Sequence, residues 1–222
     1  MDNASGDDTV AMVTRTFPEI TLIANSYNAG FAKANNQGIM QAHSDYLLLL
    51  NPDTEVTKDA LQKMLEHITN NEQIGILGCK HINTNLTLQH SVRRFPTVMA
   101  IFLIFSKIAK IMPGAPSLEH YFATDFNYKQ TGPVDQVAGS CMLVRQALLK
   151  DIGLLDEKFF IWFEEVDLCK RAHDAGWEVW YHALPKIIHH GGASFGQQMT
   201  LKKQILFFKS ALYYFRKHGF LK

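Results

Sequence analysis

Three carboxylates fall within four residues in the run Trp162-Phe163-Glu164-Glu165-Val166-Asp167-Leu168. At the start of a helix the macrodipole favours negative charge there. Helical spacing makes Glu164 and Asp167 neighbours, turns Glu165 about a quarter turn away, and leaves Leu168, Ala172 and Ala175 as the buried side. The preceding Phe159-Phe160-Ile161-Trp162-Phe163 is heavily aromatic. A carboxylate against such a wall is partly desolvated, which raises its pKa toward that of a working general base. An acidic N-terminal cap on a surface helix accounts for the same residues equally well.

Two further groups have the right chemistry. Asp53 ends the apolar run Tyr46-Leu47-Leu48-Leu49-Leu50 through Asn51-Pro52. Ligands of open α/β sheets bind beyond the carboxyl ends of strands, and magnesium takes one or two carboxylates plus phosphate and water. Asn-Pro-Asp-Thr is also an ordinary turn sequence with proline at its second position. His189-His190-Gly191-Gly192 follows a short apolar run, as at another strand end. A histidine is usually structural or solvated, and two adjacent ones beside glycines strengthen the case for a ligand only modestly, because neighbouring side chains diverge in an extended chain.

The elements that must hold these groups alternate β-type runs with helical segments, an α/β sheet with helices on its faces. Helices are expected over Asp7–Thr16, Phe31–Ala42, Lys58–Thr69, Val98–Ile111, Glu164–Ala175 and Thr200–Lys217. Strands are expected at Ile20–Ile23, Tyr46–Leu50, Ile74–Gly78, Val134–Val144 and Trp177–Tyr181. The continuous apolar run at Tyr46–Leu50 reads as a strand covered on both faces. Asn83-Thr84-Asn85 reads as a hairpin tip and Gly139-Ser140 as a close backbone approach.

Composition narrows the function classes. The 222 residues suit one core, with 47% hydrophobic and 19% charged residues and a net charge of +1. That balance gives no global field for nucleic acid. Cys79, Cys141 and Cys169 form no CxxC pair and read as reduced thiols of a cytoplasmic protein. The longest apolar stretch, Val98–Ile111, contains Lys107 and Lys110 and is too short for a bilayer span. With Arg93-Arg94 before it, this stretch suits contact with a membrane surface or lipid acceptor, as does the aromatic and basic C-terminal helix. Both helices could equally do no more than cover the core.

Taken in order, these segments resemble the family 2 glycosyltransferases with the GT-A fold, in particular their rhamnosyltransferase-like branch in bacterial surface-polysaccharide assembly. Asp2-Asn3-Ala4-Ser5 looks like the turn whose aspartate recognises the nucleotide base. Gly30-Phe31-Ala32-Lys33-Ala34-Asn35-Asn36 is similar to the glycine-led helix start beside the nucleotide, where Gly30 and Asn35 would contact the donor. Leu49-Leu50-Asn51-Pro52-Asp53 resembles the metal-binding motif, and Gly139-Ser140-Cys141-Met142 the wall of the donor-sugar pocket. Glu164-Glu165-Val166-Asp167 resembles the motif that supplies the base, with Trp162 against a sugar face. His189 falls where members have a histidine near metal and diphosphate, followed by Gly192 and Ser194. No single motif is specific, but their shared order is.

The resemblance implies one transferase domain over 1–222, with a variable apolar insertion at 93–132 and a C-terminal amphipathic helix at 199–222. It implies a nucleotide-diphosphate sugar donor, a glycan or lipid-linked acceptor, Mg2+ or Mn2+, and a place in the cytoplasm at the inner membrane face. Inversion would use Glu165 as base, with Glu164 and Asp167 orienting it and Asp53 and His189 at the metal. Two positions depart from the pattern: Asn51 replaces an aspartate, and Glu165 stands where this branch has aspartate, with one more methylene. The family domain also begins roughly thirty-five residues earlier, about one βαβ unit. On that basis the Tyr46–Leu50 strand is expected to have an unpaired side and the chain alone to bind nucleotide sugar poorly. The rival reading is an inactive truncated domain serving as a binding or assembly module. A nucleotidyltransferase would want a glycine-rich basic loop near its start, and the sequence has none.

Overall fold

The computed structural model describes residues 1–191 and 200–220. Helix α1 (Thr9–Thr16) and α2 (Phe31–Gln41) precede strands β1 (Tyr46–Leu50) and β2 (Thr54–Val56), then α3 (Ala60–Thr69). Strands β3 (Ile74–Ile82), β4 (Leu88–Gln89) and β5 (Val92–Arg93) lead to α4 (Val98–Phe105), a 3-10 turn at Ile108–Lys110, and α5 (Pro116–Tyr121). The chain continues through β6 (Gly132–Pro133), β7 (Gln136–Val137), β8 (Cys141–Arg145) and α6 (Gln146–Ile152). It closes with α7 (Glu164–Asp174), β9 (Glu178–His189) and α8 (Leu201–His218).

The main sheet runs β1-β8-β3-β9-β2, with β4 beside β3 and β6 beside β9. Only β3 and β9 pair in parallel; the other contacts are antiparallel. This is the mixed sheet with helices on both faces that the sequence indicates. β1 lies at one end of the order, so one of its sides has no partner strand among the described residues. Its faces are both used: Leu47 and Leu49 join a core with Ile39, Val144 and Leu148, while Tyr46 and Leu48 pack on the cluster of Met64, Ile68 and Leu143. A third cluster, with Phe159, Phe163, Phe207 and Tyr214, binds α7 to α8.

Several sequence expectations change. Ile20–Ile23 forms no strand; only a parallel bridge, Asp2 with Ala24, is made there. The apolar helix stops at Phe105 because Lys107 adopts a left-handed φ of 63° and Ser106 turns its hydroxyl back onto the Phe102 carbonyl, 2.7 Å away. Val134–Val144 divides into β7 and β8 around the Ala138–Ser140 turn. Ala175 is exposed, being the cap residue past the last turn of α7. The strand expected at Trp177–Tyr181 instead runs on to His189. Its pairing with β3 jumps from Cys79–His182 to Lys80–Lys186, so the extra residues bulge out around Pro185, which has no N–H to give the ladder. That bulge carries the strand far enough to deliver His189 to the same sheet edge as Asp53.

Candidate active site

The carboxylate run begins α7 from a strained turn. Trp162 and Phe163 have φ of 65° and 72°, a left-handed conformation that costs a side-chain-bearing residue about 1–2 kcal/mol. Packing holds it: Phe163 is buried against Phe207 and Tyr214, and the Trp162 ring meets Phe207 edge-on at 5.8 Å. The turn fixes where the next side chains go.

Glu165 lines a cavity of about 220 Å³ together with Arg93, Tyr121, Gln136, Trp162 and Phe207. Burial raises its carboxyl pKa, and the Arg93 guanidinium works against that rise. The result is a carboxylate of increased basicity facing open space, which is what proton abstraction requires. Gly139 lies across the β7–β8 turn from it; a Cβ there would sit 3.4 Å from the Glu165 Cβ. Gly139 and Glu165 are thus packed side by side.

The three acids have three environments. Glu164 is buried, its Oε2 has no hydrogen-bond partner among the described residues, and burial followed by the Glu165 charge pushes its carboxyl well above the usual range. Asp167 does not reach the cavity. It is fully buried and bound by Arg171 Nε at 2.8 Å, Lys217 Nζ at 2.8 Å and His218 Nε2 at 2.7 Å. Burial alone would raise its pKa; hydrogen bonds from His218 and Lys217 and the Arg171 charge hold it at about 2 instead. Its work is to tie α7 to α8.

At the opposite end of the turn, Asn51 N–H donates to the Ser140 carbonyl at 3.0 Å, joining the β1 exit to the Gly139-Ser140 segment. Asp53 follows, and His190 N–H donates to its carbonyl at 2.8 Å. Asp53 Oδ1 is buried without a hydrogen-bond partner among the described residues, and His189 Nε2 is 3.4 Å from it. Gln89 Oε1 takes the other ring nitrogen, Nδ1, at 2.6 Å, while its amide nitrogen donates to Asn83 Oδ1 at 3.1 Å. In the neutral imidazole this contact puts the proton on Nδ1 and leaves Nε2 with the lone pair. Two acceptors then face each other across a gap, an arrangement that fits a cation. Gly191 keeps the space: a Cβ there would fall 1.8 Å from Asp53 Oδ2. Nearby His81 is drawn down to about 3 by burial and by His189, so it stays neutral. Among the described residues no cluster of three or more His, Cys, Asp or Glu side chains could hold a metal. Asp53 and His189 would hold one only with ligands from elsewhere. His190 turns away to Glu55 at 2.6 Å, and Gly192 and Ser194 lie outside the described residues.

The remaining candidates line neither the Glu165 cavity nor the gap between Asp53 and His189. Asp2 is buried and its Oδ2 accepts the N–H groups of Ala4 and Ser5, both at 3.1 Å; hydrogen bonding from Ser5 keeps its pKa low. Gly30 has φ of 86°, and a Cβ there would lie 2.7 Å from the Phe160 carbonyl, so only glycine lets α2 start against the loop that leads to Trp162. Asn35 donates to the Phe31 carbonyl at 2.9 Å and lines a groove along β1 with Leu47 and Leu49.

Four residues escaped the sequence reading. Arg93 was noticed only as a basic residue before an apolar stretch, and Gln89 gave no sign at all. Asn3 staples Asn28 and Ala29 at 3.0 and 2.9 Å, and Asn36 clamps both the N–H and the carbonyl of Leu155. Each acts across a long sequence separation, and nothing in local spacing marks such a partner.

Comparison with known proteins agrees with this geometry. The profile described as Glycosyl transferase family 2 matches residues 1–153. The chain is 25% identical over 207 residues to the N-acetylglucosaminyl-diphospho-decaprenol L-rhamnosyltransferase of Mycobacterium tuberculosis (strain CDC 1551 / Oshkosh), covering 88% of this chain and 67% of that protein. It is 29% identical over 178 residues to Rhamnosyltransferase WbbL of Escherichia coli K12, covering 75% and 64%. The chain thus spans about two thirds of the length of these relatives. Among solved structures, GalNAc-T7 with UDP, GalNAc and Mn2+ superposes with a TM-score of 0.59 at 13% identity, over 83% of this chain and 34% of that one. That likeness concerns the fold, which is GT-A.

Proposed function

Because the chain belongs to glycosyl transferase family 2, we propose that it moves a sugar, with rhamnose the first candidate, from a nucleotide-diphosphate sugar to a hydroxyl of a glycan or lipid-linked acceptor in bacterial surface-polysaccharide assembly. The observation that carries this reading is the juxtaposition made by one turn. Gly139 touches Glu165, and Ser140 binds Asn51, two residues before Asp53.

In this reading the donor sugar lies over the Gly139-Ser140 turn and the acceptor enters the cavity beside Trp162. Glu165 Oε accepts the proton as the acceptor oxygen attacks the anomeric carbon. The bond from that carbon to the diphosphate breaks on the opposite side, and the nucleoside diphosphate departs with the electron pair, inverting the centre. Arg93 and backbone hydrogen bonds oppose the rise that burial gives the Glu165 pKa. The Trp162 ring offers an apolar wall to a sugar face. Asp2, Gly30 and Asn35 surround the nucleotide end. Asp53 and His189 would hold Mg2+ or Mn2+, which when bound supplies positive charge to the leaving diphosphate.

Titration of uridine and deoxythymidine diphosphate into the protein with and without Mn2+ tests the donor side. Binding that needs Mn2+ and weakens at least about tenfold in Asp53→Asn agrees with the proposal. Binding indifferent to both the metal and the substitution refutes the assignment of Asp53.

A further inference from the structure

Two helices carry apolar surface that the fold leaves open. Of its eight residues α4 buries only Ala100 and Ile101; Val98, Met99, Phe102 and Phe105 are exposed. α8 adds exposed Leu201, Ile205 and Phe208. The Phe105 and Phe208 rings lie 5.1 Å apart, so the two helices present one continuous face. A patch of this kind on a soluble domain marks an interaction site.

Charge identifies the partner. The chain has 21 acidic residues, yet none falls between Arg93 and Leu118 or between Thr200 and Lys222. Lys107 and Lys110, in the 3-10 turn that follows α4, and Lys203 and Lys209 on α8 are exposed. Protein interfaces are depleted of lysine around their apolar centres. Aromatic and aliphatic side chains among lysines, without a carboxylate, complement the headgroup boundary of an anionic bilayer. Directly behind this face lies the Glu165 cavity, walled by Ile104 of α4 and Phe207 of α8. Among the described residues no helix is long and apolar enough to cross a membrane, so the contact is with the surface.

We propose that α4 and the first half of α8 form a docking face for an anionic lipid surface, presenting the Glu165 cavity to acceptors held in that surface. The statement about acceptors rests on the transferase reading; the docking itself does not. Co-sedimentation with vesicles of phosphatidylcholine, alone or with about one third phosphatidylglycerol, tests it. The expected result is binding to the anionic vesicles that falls with added salt, and little binding to the neutral ones. Phe102→Ser with Phe208→Ser should reduce it at least about tenfold. Lys107→Gln and Lys110→Gln should each reduce it about fivefold, the equivalent of roughly 1 kcal/mol per basic residue. Leu61→Ser, at an exposed apolar position on α3, should change nothing, and unaltered unfolding midpoints show that all variants fold. Equal binding to neutral vesicles, no binding to either, or insensitivity to these substitutions overturns the proposal. Self-association abolished by the phenylalanine pair would give the face to a second copy and also overturn it. Nucleotide titration on the same proteins separates the two readings. Vesicle binding without nucleotide binding sinks the transferase reading alone, and the reverse sinks the docking face alone.

Discussion

At the scale of residues, the site works by giving like groups unlike surroundings. Glu164, Glu165 and Asp167 are three carboxylates in one turn of helix, and burial drives the first two upward while Arg171, Lys217 and His218 hold the third down. Pairs of titratable groups pushed apart in this way mark acid–base assignments. Arg93 is the counterweight for Glu165, since both line one cavity and the guanidinium opposes the effect of burial. The other ionisable groups around the base are Tyr121 and His90 in the cavity wall, with Glu164 and Cys169 on α7 itself. Removing the cation in Arg93→Gln leaves only backbone hydrogen bonds to oppose burial, so the Glu165 pKa rises further. The acid limb of the pH profile of kcat/KM should then move to higher pH by about one unit, with activity recovered at alkaline pH. A uniform loss at every pH, with the limb in place, would make Arg93 a binding or structural residue instead.

At the scale of elements, α8 is the brace for α7. Asp167 contributes its ionic contacts to that packing, and Lys217 reaches both Asp167 and Asp156 at 2.8 and 2.7 Å. Because the folded pKa of Asp167 is depressed, its contribution is present above the ordinary value near 3.8 and is lost as pH falls toward about 2. The shift corresponds to about 2 kcal/mol. Asp167→Asn should therefore lower stability at pH 7 by roughly that amount or more, with the difference from the native protein shrinking between pH 4 and pH 2 in urea unfolding. A constant difference across that range would deny the ionic role. The sequence showed α7 well, because capping acids, a 3.6-residue apolar period and Gly176 all point the same way. It showed Asp167 as a companion of the base only because its three partners include two residues fifty positions away on α8. The long β9 was hidden by Pro185, which reads locally as a strand end, although the chain merely bulges there and resumes pairing.

At the scale of the whole molecule, the order of motifs was legible where their geometry was not. Asp53, Gly139, Glu165 and His189 were each weak alone, yet the sheet brings them around one turn. The path runs from β1 through Asn51 and Ser140 to Gly139 and Glu165. Arg93 and Gln89 stayed invisible because their roles exist only once β4, β5 and β7 fold beside β3 and α7. The apolar stretch at Val98–Ile111 supports two readings in sequence, and the meeting of Phe105 with Phe208 and the lack of acidic residues in both segments favour one of them. The central claim is that Glu165 is the base of a sugar transferase. It is tested most directly by measuring nucleoside diphosphate release from a panel of nucleotide sugars by the native protein and by Glu165→Gln, with nucleotide affinity measured on both. Against the weak nucleotide-sugar binding expected from sequence, the account predicts turnover by the native protein, reduced at least about a hundredfold in the variant, with nucleotide affinity unchanged. Equal turnover by the two proteins, zero included, would contradict it.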